Sequence, residues 1–144
     1  MVISTLRVEG WLLKKGAIRN EDLIPFIQEL LARQQHKKLL IIDNAPSHKK
    51  QTDVKVRQLG HDLLYILPYT HRLNPIEQFF SQLKHYMRDK TPMNEIEIRE
   101  AIMYAIKRIN KQHLTNYFMN AYDAKNIEKP RKKIIREPKK TYKN

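Results

Sequence analysis

An α/β domain is the fold class this sequence predicts, and three observations carry it. A β-branched segment, Val2–Val8, opens the chain. Two continuous apolar runs, Leu39–Ile42 and Leu63–Leu67, are separated by a polar stretch of helical character. From Pro75 onward, apolar residues recur at helical rather than strand spacing. The expected order is an N-terminal β-hairpin, two parallel strands joined by a crossover helix, and a set of C-terminal helices.

Val2–Val8 is expected as the first hairpin strand, Glu9-Gly10 as its turn, and Trp11–Lys15 as the returning strand, with Trp11 in the core. Leu23, Ile24, Phe26, Ile27, Leu30 and Leu31 then mark one face of a helix. Asp22 is its expected N-cap, which puts Pro25 in the first turn, where a missing N–H does no harm. Lys38–Asp43 is uninterrupted in its apolar centre, the pattern of a strand covered on both faces in a parallel sheet. Asn44–Ser47 is a loop, followed by a weakly helical stretch that Gly60 can close as a C′ residue. Leu63–Leu67 is the next strand, stopped by Pro68, and strand–helix–strand in so short a span implies a right-handed parallel crossover.

The strongest local signal comes next. Asn74 is a favoured N-cap, Pro75 takes the first helical position and Glu77 the third. Ile76, Phe79, Phe80, Leu83 and Met87 form the apolar stripe of that helix, with Phe79 and Phe80 expected in the core. After Thr91–Asn94, a second stripe runs through Ile98, Ile102, Ala105, Ile106 and Ile109, and a short helix is expected around Leu114–Tyr122. Residues 1–122 thus form the expected folded domain, and residues 123–144 a basic tail. From Lys125 the tail holds nine Lys or Arg against Glu128 and Glu137, a net +7 with two prolines, and it is expected to be disordered when alone.

At 144 residues the chain is long enough to bury a real core. Its 28 Lys and Arg against 15 Asp and Glu give a net charge of +13, which favours a polyanionic partner, most simply nucleic acid. The absence of cysteine excludes a disulfide scaffold and a thiolate zinc site, and fits a reducing compartment. No apolar run reaches membrane-spanning length, and Met1–Arg7 is too short for a signal peptide. A soluble cytoplasmic protein without a membrane partner is expected, nucleoid-associated if bound to DNA.

In an open α/β sheet, sites form at the carboxyl ends of the strands. Asp43 ends one such strand, Asn44 and His48 follow it, and Glu77 opens a helix shortly after the neighbouring strand. Two carboxylates brought together there suit Mg²⁺ or Mn²⁺, which prefer hard oxygen ligands. Each residue also has a plainer reading. Asp43 alone could cap its own loop backbone, Glu77 could close a capping box with Asn74, and Asn44 and Asn74 fit turn and cap roles as well as support of a carboxylate. His48, His61 and His71 match no usual zinc spacing. Of these, His48 is the candidate for positioning substrate, and the other two read as ordinary loop histidines.

Asp43-Asn-Ala-Pro-Ser-His48 and Leu67-Pro-Tyr-Thr-His-Arg-Leu-Asn-Pro-Ile-Glu77 together resemble the second and third acidic motifs of DDE transposases, most closely the mariner-like bacterial insertion-sequence group. The resemblance implies an RNase H-like catalytic domain that cuts DNA with two Mg²⁺ ions and joins the freed 3′-hydroxyl to a target. It implies that Asp43 and Glu77 are the second and third catalytic, metal-binding acids. Lys84 and Arg88, on the same helix face as Glu77, become expected contacts for DNA phosphates, as do Arg131, Lys132 and Lys133 in the tail, although a solvated basic face explains the helical pair equally well.

The sequence departs from that pattern at its front. The family's first Asp lies on a central strand before the hairpin, and the acids upstream of Asp43 (Glu9, Glu21, Asp22 and Glu29) fall in a turn and a helix instead. The expectation is an incomplete RNase H-like domain, the back portion of a transposase from a split or frameshifted reading frame, with little or no activity alone. Its sheet would expose unpaired edges, and it would be poorly stable unless complemented by an N-terminal fragment or a full-length transposase. The other readings are a non-catalytic basic DNA-binding protein and a transposon remnant without function.

Overall fold

A computed structural model describes residues 1–43, 49–66 and 70–123, and within them the chain is mixed α/β. The hairpin forms, but in a different register from the one expected. β1, Val2–Ile3, pairs antiparallel with β2, Val8–Gly10, and Trp11–Lys15 is not a strand. Ser4 causes the difference. Its hydroxyl accepts from the N–H groups of Leu6 at 3.1 Å and Arg7 at 3.2 Å, and its own N–H donates to the Arg7 carbonyl at 2.9 Å. A serine that captures nearby backbone donors stabilises a turn, and here it folds the β-branched run back on itself after two residues.

Gly10 consequently lies in β2 rather than in the turn. A β-carbon there would stand 3.0 Å from Leu30 Cδ1 and 3.3 Å from the Phe26 ring, so glycine permits close approach of helix α1, Asn20–Ala32. The helix begins earlier than expected, and Asp22 is its third residue, not its N-cap. The Asp22 carboxylate reaches back to accept from the Arg19 N–H at 3.0 Å and is held by Lys14 Nζ at 2.7 Å. Pro25 therefore falls in the second turn, where it cannot donate to the Glu21 carbonyl. Trp11 is half-buried instead of core, with the Arg99 guanidinium 5.8 Å from its ring centre.

β3, Leu39–Ile42, and β4, Asp62–Tyr65, pair in parallel from Leu39↔Asp62 to Ile42↔Tyr65. Between them runs α2, Lys49–Gln58. Gly60 closes it at φ +80°, donating to the Arg57 carbonyl at 3.0 Å, while the His61 N–H reaches the Val56 carbonyl at 3.2 Å. Those two bonds form a Schellman motif, which needs a residue in the left-handed region. His61 lies in the connection between α2 and β4, as expected, but it is buried, and its Nδ1 accepts from the Lys38 N–H at 3.1 Å, tying the entry of β3 to that of β4.

A 3-10 turn at His71–Leu73 leads into α3, Pro75–Arg88, followed by α4, Glu95–Arg108, and α5, Lys111–Tyr122. The last begins a few residues before its expected start. The helices form one apolar cluster built on Phe79, Leu83, Ala105, Ile109, Leu114 and Tyr117. A second cluster, of Ile27, Leu30, Leu31, Val56 and Leu63, joins α1 and α2 to β3 and β4. β1 divides between them: Val2 packs on the second cluster and Ile3 on the first, as successive strand residues point to opposite faces. β1–β2 and β3–β4 remain two separate two-stranded sheets among the described residues. No residue of β3 is buried, although its sequence is that of a strand covered on both faces.

Candidate functional site

Asp43 is the residue directly after β3, and Glu77 the third residue of α3. Both carboxylates are exposed, and both rim one cavity of about 380 Å³ that opens between β1, β3, α1 and the start of α3. The parallel pairing of β3 with β4 and the immediate turn into α3 therefore bring the two acids to the same edge of the fold.

The local chemistry of Glu77 separates its two readings. Three helices carry an acid at the third position: Asp22 in α1, Glu77 in α3 and Glu97 in α4. Two of these acids are spent on the helix end. Asp22 accepts from the Arg19 N–H, and Glu97 accepts from the Met93 N–H at 2.7 Å and from Asn94 Nδ2 at 2.7 Å. The N-terminus of α3 is closed without Glu77's carboxylate, by Asn74 Oδ1 accepting from the Ile76 N–H at 3.4 Å and by Pro75, which has no N–H to satisfy. No hydrogen bond or ion pair engages the Glu77 side chain among the described residues. The capping-box explanation thus holds for Asp22, Glu97 serves its helix end through Met93 and the Asn94 side chain, and Glu77, on the cavity rim, does neither among the described residues.

Asn74 also lines the cavity, with its side-chain oxygen committed to the helix cap. Asn44, His48, Arg131, Lys132, Lys133 and the expected disordered tail all lie outside the described residues. So does the loop backbone that Asp43 would cap in its plainer reading. Lys84 and Arg88 are exposed on α3, seven and eleven residues after Glu77 and on the same face. Among the described residues no three acids or histidines cluster in a way that could hold a metal ion.

Two features were missed in the sequence. Arg88 borders a shallow groove in which Gln82 links two tyrosines: its Nε2 donates to the Tyr86 hydroxyl at 2.9 Å, and its Oε1 accepts from the Tyr117 hydroxyl. Burial pushes the Tyr117 hydroxyl above its ordinary pKa, keeping it a donor. Adjoining it, Arg108 lies 5.6 Å from the Tyr86 ring centre and 4.9 Å from that of Tyr104, over which Lys90 stands at 4.2 Å. The Gln82–Tyr86 spacing of four was visible in the sequence; the approach of α5 and α4 was not.

None of the helices among the described residues is long and apolar enough to cross a membrane. No curated protein and no solved structure matches the chain. Residues 2–99, more than half of the chain, match the family described as DDE superfamily endonuclease, and the chain belongs to that family.

Proposed function

We propose that this chain carries two of the metal-binding acids of a DDE transposase, in an RNase H-like domain whose reaction is cleavage of DNA and transfer of the freed 3′-hydroxyl to a second phosphodiester. The observation that carries the reading is the unused carboxylate of Glu77 on the same cavity rim as Asp43. The donor set fits Mg²⁺ or Mn²⁺: two exposed hard oxygen ligands, with room for water at the remaining positions. The chemistry a divalent ion supplies at such a site is polarisation of the scissile phosphate and of the groups that attack and leave it.

The protein's part is to hold and orient. Asp43 is fixed by the β3–β4 ladder and Glu77 by the capped first turn of α3. Lys84 and Arg88 present charge to DNA phosphates along the same face, which positions a substrate without reading its sequence. Two carboxylates hold paired ions loosely, so the chain by itself is proposed to cut poorly or not at all.

A second reading, a non-catalytic DNA-binding protein, is favoured by the net charge of +13 alone. Titration with Mn²⁺, followed by loss of the free-ion electron paramagnetic resonance signal, distinguishes the two. Saturable binding should weaken at least tenfold in both Asp43→Ala and Glu77→Ala. Mn²⁺ uptake unchanged by either substitution refutes the metal assignment and leaves the binding-protein reading standing.

A further inference from the structure

We infer that Arg88, Lys90 and Arg108, gathered around Tyr86 and Tyr104, form a phosphate anchor that holds the DNA backbone beside the C-terminal half of α3, apart from the carboxylate edge. The first observation is two cations on one ring. Lys90 Nζ stands 4.2 Å and the Arg108 guanidinium 4.9 Å from the Tyr104 ring centre, and Arg108 also lies 5.6 Å from that of Tyr86. A tyrosine ring attracts a cation, but two cations brought to one ring repel each other, and an anion between them removes that repulsion. Elsewhere the chain supplies the anion itself. Arg7, Lys14, Arg33, Lys37, Arg57 and Arg99 each pair with a carboxylate. Arg88, Lys90 and Arg108 have no such partner among the described residues. Asp89 and Glu100, the acids nearest to them in sequence, engage none of the three.

The donors are also prepared. Arg108 Nη1 donates to the Tyr104 hydroxyl, and the rest of its fork stays available in a geometry that matches paired phosphate oxygens. The Tyr86 hydroxyl accepts from Gln82 Nε2 at 2.9 Å, which leaves its own O–H to donate. Tyr86 lines the shallow groove with His85 and Arg88, so a phenol donor joins the cations on one surface of α3 and α4. A cation in the last turn of a helix also favours the helix dipole, and Arg88 and Arg108 both stand there. That role needs charge alone; it needs neither a ring beneath the guanidinium nor a hydroxyl donor. The rings are already engaged, Tyr104 by two cations and Tyr86 by Arg108 and by the His85 ring 5.6 Å away. Rings so occupied favour a backbone phosphate over a stacked base, a contact that positions DNA without reading its sequence.

Arg88 lies eleven residues after Glu77, which is about 16 Å along the helix axis. The major groove of a duplex is roughly 12 Å wide. A duplex lying along α3 can therefore meet the carboxylate edge with one strand and the anchor with the other, which fixes its angle to the helix. The choice of DNA as the source of the phosphate rests on the proposed function; the anion site itself does not.

The test uses the full chain and a fluorescein-labelled duplex of mixed sequence, titrated by anisotropy in chelator across a KCl series. Arg108→Gln should weaken binding about fivefold or more and lower the slope of log affinity against log salt by about 0.9, the loss of one phosphate contact. Tyr104→Leu changes no charge and should still weaken binding about threefold, because the guanidinium loses its support. Lys107→Gln removes the same charge from the adjacent exposed position and should change affinity less than about twofold. Equal losses in Arg108→Gln and Lys107→Gln mean diffuse charge attraction and overturn the proposal, as does full affinity in Tyr104→Leu. Arg108 is exposed, so its comparison with Lys107 stands even where Tyr104→Leu fails to fold. Saturable binding of inorganic phosphate by the wild type, with DNA affinity intact in Arg108→Gln, assigns the site to a small phosphate ligand and overturns the DNA anchor. Metal takes no part in these titrations, so failure of the metal reading is seen separately.

Discussion

Replacing Glu77 by glutamine isolates the carboxylate from everything else α3 does. The substitution keeps size and helix propensity, and the N-terminus stays closed by Asn74 and Pro75, which do not use the Glu77 side chain. In the presence of a chelator the only expected loss is the attraction between an exposed charge and the helix N-terminus, about 0.5 kcal/mol or less. For roughly 120 ordered residues gaining about 2.1 cal/mol/K each on unfolding, that lowers Tm by about 2 °C. With Mn²⁺ the expectation changes. An ion that binds only the folded state adds RT ln(1 + [L]/Kd), so above Kd each tenfold rise in concentration stabilises by about 1.4 kcal/mol. The same entropy converts this to about 5 °C per decade. Thermal melts followed by circular dichroism across a MnCl₂ series, at ionic strength held constant with KCl, should show that slope for the wild type. In Glu77→Gln its onset should move at least one decade higher. An onset that does not move refutes the argument from the unused carboxylate, because the ion would then be held elsewhere.

Two further outcomes follow from local geometry. The Lys14 ammonium and the Arg19 N–H hold the Asp22 carboxyl below its ordinary pKa. A depressed carboxylate contributes stability that is complete above its unfolded-state pKa and lost as pH falls through the folded-state one. The wild type should therefore lose Tm as pH drops below the usual carboxylate range, and Asp22→Asn should flatten that part of the profile while lowering Tm near neutrality. Thr91, between α3 and α4, sits at φ +39°, a left-handed conformation that costs a side chain with a β-carbon roughly 1–2 kcal/mol. Part of that is offset by the greater unfolded-state freedom of glycine, so Thr91→Gly should raise stability by about 1 kcal/mol in urea denaturation; a loss of stability would show that the strain lies elsewhere.

What was legible in the sequence was local. Asn74-Pro75-Ile76-Glu77 announces the start of α3 because a cap acts within one turn, and Gly60 announces the end of α2 for the same reason. The positions of Asp43 and Glu77 followed from a strand end and a helix start, both readable from a few residues. What escaped depends on contacts between distant segments. Gly10 looks like a turn residue until Phe26 and Leu30 arrive from α1, and His61 looks like an exposed loop residue until the Lys38 N–H, 23 positions earlier, donates to it. The hairpin register failed on a closer contest. Strand propensity favoured a run to Val8, but one serine side chain, bonding two backbone donors, outweighed it.

β3 is the case in which the sequence and the structure disagree most usefully. Leu39–Ile42 is written for a strand covered on both faces of a parallel sheet, yet Leu39 is 57 % exposed and, among the described residues, only one edge is paired. Phe79 and Leu83 on α3, by contrast, are buried in the cluster with α4 and α5. An exposed leucine by itself means little. Here, however, the N–H and C=O groups of Ile41 point away from β4, and Leu39–Ile42 all line one cavity. A random surface leucine would not bring an unpaired strand edge with it. β3 is held by β4 along one edge and by the packing of Leu40 and Ile42 on the cluster of α1 and α2, contacts that account for half of its apolar residues and leave Leu39 to solvent.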